Sequence, residues 1–73
     1  MTIEATARVL ELTELEPGRW RLCDPARPLG DIEHLVAYIE DQAGSFETVW
    51  LRGAFGCARF GSLDEAIAAA HAR

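Results

Sequence analysis

The side chains that could do chemistry are few, and their spacing does not bring them together. Nucleophilic catalysis needs Ser, Thr or Cys beside a base that a third group orients. The two histidines are His34, in a turn-like stretch, and His71, near the end of the chain. At the C-terminus of a helix, His71 interacts favourably with the macrodipole and needs no catalytic role. Glu40-Asp41 and Asp64-Glu65 are sequence neighbours. In a strand such a pair points to opposite faces, and at a helix start it serves capping and the dipole.

Cys23 and Cys57 belong to no Cys-x-x-Cys pair, and no histidine follows at ligand spacing. Two buried thiols are expected; the spacing leaves a disulfide open, and a reducing cytosol disfavours it. Gly53-Ala54-Phe55-Gly56 has the glycines of a phosphate loop but lacks its Lys-Ser/Thr pair and the helix that should follow. The residues therefore point to no catalytic, metal or cofactor site.

Charge narrows the partners. Twelve acidic against seven basic residues give a net charge of -5, which repels a phosphate backbone or an anionic membrane unless the arginines cluster. Arg19, Arg21, Arg52 and Arg59 do lie on or beside strand-like segments with Trp20 and Trp50 among them, an arrangement suited to phosphates and stacked bases. Sheet-mediated nucleic-acid binding is thus the rival reading. It is the less expected one, because Lys is absent and alternation sets Trp20 opposite Arg19 and Arg21.

The basic residues are all Arg and Asn is missing too, a bias that fits a GC-rich coding sequence. No basic leader precedes an apolar run at the N-terminus, and no stretch approaches the roughly 18–20 apolar residues of a membrane span, so a cytoplasmic location is expected. With 73 residues there is room for one domain, and a core this small favours self-association.

Periodicity predicts the elements that must position these side chains. Residues 8–13 and 19–23 read as an N-terminal hairpin turned by Glu16-Pro17-Gly18. Residues 24–30, with two prolines and a glycine, read as an irregular connection. Residues 31–43 support two readings. Ile32, Leu35, Val36, Ile39 and Ala43 have helical spacing after a capping Asp31 and before a terminating Gly44, whereas Leu35-Val36-Ala37-Tyr38-Ile39 is a buried-strand run leading into the hairpin loop Gln42-Ala43-Gly44. The strand is preferred. Residues 45–51 form a β-branched and aromatic strand, 57–60 a shorter one, and Ser62-Leu63-Asp64-Glu65 opens a capped C-terminal helix to about His71.

The expected fold is α+β: an antiparallel meander of four to five short strands with a C-terminal helix on one face, or ββαββα if residues 31–43 are helical. A three-residue loop pairs Asp41 with Ser45, Ile39 with Glu47, Ala37 with Val49 and Leu35 with Leu51. The stripe Leu63, Ala66, Ile67 and Ala70 then covers an aliphatic face with Leu35, Ile39, Val49 and Leu51. The opposite face carries Tyr38, Phe46 and Trp50, supported by Val36 and Trp20. The N-terminal hairpin, a second copy or another protein must cover it. The sequence thus points to a non-enzymatic interaction or regulatory module, a homodimer through that aromatic face, with no membrane or small-molecule partner.

Overall fold

Tight turns fix this fold, because each sets the register of the strands it joins. The first is Pro17-Gly18, where proline presets φ and Gly18 takes a φ of 84°. The second is Ala43-Gly44, with φ of 57° and 90°. Two consecutive positive values define a type I′ hairpin, whose twist matches that of the strands it connects. The computed structural model describes residues 10–53 and 55–72.

Five strands, β1 (Glu11–Glu16), β2 (Arg19–Cys23), β3 (Leu35–Gln42), β4 (Ser45–Trp50) and β5 (Gly56–Phe60), form one antiparallel sheet in sequential order. Helix α1 (Leu63–His71) follows and packs across β3, β4 and β5. The expected α+β meander with a C-terminal helix is what forms.

The ambiguous segment resolves into both of its signals in turn. Asp31 caps as expected, its Oδ1 accepting the Glu33 amide at 2.8 Å, but what it caps is a single 3-10 turn at Ile32–His34. The chain then extends at Leu35, where a continuous β-branched and aromatic run fits a strand covered on one face. The helix over 31–43 is not formed. Residues 8 and 9 of the first expected strand lie outside the described residues. Strand β1 runs on to Glu16, with a bulge at Leu15.

Helix α1 starts where the capping residues place it. Ser62 Oγ accepts the Glu65 amide at 3.1 Å, and Glu65 Oε1 accepts the Gly61 amide at 2.9 Å, one residue earlier than a reciprocal box would have it. The helix buries Ala66 and Ala70, with Leu63 and Ile67 beside them. Small side chains let it lie close over Leu22, Val36, Ala37, Ile39 and Trp50, which complete the core.

The β3–β4 turn carries a testable strain. Alanine at φ 57° meets the steric cost of the left-handed region, which glycine and asparagine largely avoid. Ala43→Asn, which restores the Asn-Gly pair favoured in such turns, is expected to stabilise the fold by about 1 kcal/mol. A higher urea midpoint at unchanged slope is the result that checks it.

Candidate functional site

The two-residue turn decides which side chains remain available to a partner. Gln42 pairs with Ser45, so Ile39 faces Thr48, Ala37 faces Trp50 and Asp41 faces Phe46. The three-residue loop expected from sequence is one residue longer, and a one-residue slip exchanges the faces of a strand. The aliphatic half of β3 therefore shares its face with the aromatic half of β4, beneath the helix.

The five residues expected to bind a partner are consequently split. Trp50 is 7% exposed and Val36 is buried, while Trp20 and Phe46 are half-buried against the core. Trp20 stacks obliquely on Phe46 with ring centroids 5.8 Å apart, and Trp50 meets Phe60 edge-on at 6.3 Å. The aromatic face is core, closed by α1 and not by the N-terminal hairpin, which extends the sheet sideways through β2. Only Tyr38 of the five reaches the opposite face, in a row with Arg21, Val49 and Cys57.

That opposite face is open but mostly polar. A groove of about 270 Å³ opens on it, lined by Leu15, Arg19, Tyr38, Glu40, Glu47 and Val49 and reaching Trp20 and Ile39. Its charges are already matched: Arg19 lies 3.4 Å from Glu40 and 3.3 Å from Glu16, and Arg59 lies 3.8 Å from Glu47. Gln42 Nε2 donates to both Glu40 and Glu47 at 3.3 and 2.9 Å, bridging two carboxylates that face one another.

The most exposed large apolar side chains are elsewhere. Leu29, Ile32 and Phe55 are 87%, 83% and 78% exposed. Leu29 and Ile32 sit on the β2–β3 connection and Phe55 on the β4–β5 connection, which leave the same end of the meander. Arg52 joins the two loops: its Nη1 donates to Asp24 Oδ2 at 2.7 Å and to the Glu33 carbonyl at 3.2 Å.

The longer loop is itself tightly ordered. The Asp24 amide donates to the His34 carbonyl at 2.8 Å and closes it at the base. Inside, Asp24 Oδ1 accepts the Ala26 amide, and His34 Nδ1 lies 2.9 Å from the Arg27 carbonyl oxygen. Arg27 also pairs with Asp31 and Glu33. This is a compact loop with its ends together, whose polar groups are tied to one another while Leu29 and Ile32 face water.

From sequence, residues 24–30 read as an irregular connection, in which Leu29 carries no expectation, and Phe55 carries none in the break after β4. The available signal was a large apolar residue between Pro28 and Gly30, and another in the glycine-flanked stretch 53–56. Neither obeys a period that would bury it.

The remaining expectations fall as follows. Cys23 and Cys57 are free thiols; Cys23 is buried, but Cys57 is exposed, against the expectation that both are buried. They lie on β2 and β5, three strand spacings of about 4.8 Å apart, beyond the reach of a disulfide. His71 ends α1 as expected, with Nδ1 3.1 Å from the Ile67 carbonyl. Among the described residues no three His, Cys, Asp or Glu side chains gather as metal ligands, and no helix is long and apolar enough to cross a membrane. Comparison with protein families, with curated proteins and with solved structures finds no match to this chain.

Proposed function

We propose that this chain is a non-enzymatic, cytoplasmic protein-interaction module that self-associates and engages a protein partner through the loop end of its sheet. The observation that carries the reading is the exposure of Leu29, Ile32 and Phe55, the first two on a loop whose polar groups are tied to one another and to Arg52. Ordering a loop before binding lowers the entropic cost of binding, so apolar side chains on a pre-formed loop are suited to an apolar socket. Free thiols fit a reducing compartment. Self-association is in keeping with a small core.

The nucleic-acid reading loses its main supports. Of the four strand-side arginines, Arg19, Arg52 and Arg59 lie within 4 Å of carboxylates, as does Arg27 on the β2–β3 loop, which lowers the positive potential available for counterion release. Trp50 is buried in the core, and Trp20 is half-buried with its ring set against Phe46.

The test is affinity capture from native lysate with the full chain and with an Ile32→Ser/Phe55→Ser double variant. Both side chains are exposed, so the variant should melt within about 0.5 kcal/mol of the parent. A partner retained by the parent and lost by the variant is expected. Equal retention by both would overturn the loop end as the contact.

A further inference from the structure

The two edges of the sheet are protected very differently. Strand β1 carries Glu11, Glu14 and Glu16 and a bulge at Leu15, and ends at Pro17. Charge, bulge and proline are the usual means of keeping a sheet edge from pairing. Strand β5, Gly-Cys-Ala-Arg-Phe, has one charge, which is paired with Glu47, and no bulge or proline.

The β3–β4 turn also fixes what the β5 edge presents. Gln42 and Ser45 flank a two-residue turn and exchange hydrogen bonds, so the backbone groups of Glu47 and Val49 face β3 and those of Phe46, Thr48 and Trp50 face β5. Their partners Phe60, Ala58 and Gly56 point inward. The amides and carbonyls of Cys57 and Arg59 therefore point outward, and among the described residues no strand pairs with them.

We propose that the β5 edge binds the β5 edge of a second copy, antiparallel about a two-fold axis at Ala58, joining two sheets into one of ten strands. This rests on the self-association proposed above and names its surface. In that register Cys57 lies opposite the partner's Arg59, and four backbone hydrogen bonds form. No like charges face one another, and Ala58 is small enough to sit on the axis. Phe60 lies opposite the partner's Gly56, where the missing side chain leaves room for the ring. The alternative occupant, the β1 edge of another copy, would present glutamates and give an open head-to-tail chain, whereas the two-fold pair closes.

The test is sedimentation equilibrium of the full chain and of Cys57→Lys, Cys57→Glu and Tyr38→Lys. Position 57 is exposed, so neither charge threatens the fold. Lysine faces the partner's Arg59 twice and should weaken the dimer roughly three- to tenfold, while glutamate should strengthen it by a similar factor. Tyr38→Lys, on the open face away from the edge, should leave it unchanged. A dimer insensitive to both Cys57 changes would overturn the β5 edge and leave self-association standing. A wild-type chain monomeric at hundreds of micromolar would overturn both.

Discussion

Replacing Trp50 by alanine is expected to unfold most of the protein. Trp50 is 7% exposed, stands opposite Ala37 and Gly56, packs against the edge of Phe60, and belongs to the cluster closed by Ala66 and Ala70. Truncating such a residue costs about 3–5 kcal/mol, from lost transfer energy and the cavity left behind. A core of this size supplies little more than that. Loss of the cooperative thermal transition in circular dichroism is the expected readout. Tyr38→Ala, on the open face, should change stability by less than about 1 kcal/mol. The contrast separates the two roles an aromatic strand can play. Were Trp50 part of an exposed docking face, its removal would abolish binding and leave the melt unchanged.

That a tryptophan expected on a surface stands in the core comes down to one residue of loop. The elements themselves were legible: turn residues at 17–18, the β-branched run of β4, and the Ser62–Glu65 cap each act through local physics that the sequence carries. The faces were not, because strand faces depend on register and register on loop length. Asp41-Gln42-Ala43-Gly44 reads naturally as a three-residue loop with only Gly44 left-handed. Alanine is an unfavoured occupant of a type I′ turn, so nothing local announces that Ala43 takes positive φ. Tertiary packing chooses it. With the shorter turn, Phe46, Thr48 and Trp50 join Ala37 and Ile39 in one helix-covered core. With the longer turn those same residues would be divided between two faces, one of them wet.

The loop end was illegible for a related reason. Leu29, Ile32 and Phe55 follow no period, and apolar residues outside a period carry no expectation of where they go. Their exposure follows from where the polar groups of the same loops are held. Asp24, Arg27, Asp31, Glu33 and His34 engage one another, and Arg52 reaches across from the neighbouring connection. Such pairings span up to 28 residues in sequence and appear only once β2, β3 and β4 are aligned.

Arg52→Ala is therefore expected to have the largest effect of any charged substitution, and to act on the proposed contact as well as on stability. The Asp24 side chain is 3% exposed and that of Arg52 20% exposed, so this pair is far drier than the other ion pairs among the described residues. Removing the guanidinium takes the 2.7 Å ion pair away from a buried carboxylate, a change that costs about 3–5 kcal/mol when desolvation is complete. The lower end, about 3 kcal/mol, applies here because Arg52 keeps some contact with water. Asp24→Asn in the Arg52→Ala background should recover part of the loss, since a neutral amide is less costly to bury, and the double-mutant cycle measures the coupling. Amide hydrogen exchange over residues 24–34 should accelerate more than exchange in β3 and β4, because the pair anchors the loop at its base. Arg59→Ala, which breaks an exposed pair, should cost no more than about 1 kcal/mol. If the Arg52 and Arg59 variants melt alike and exchange alike, the loop is held by its own hydrogen bonds and Arg52 is not its anchor. If they differ as expected, Arg52→Ala should also weaken capture of any partner that Leu29 and Ile32 engage, in a chain whose sheet is still folded.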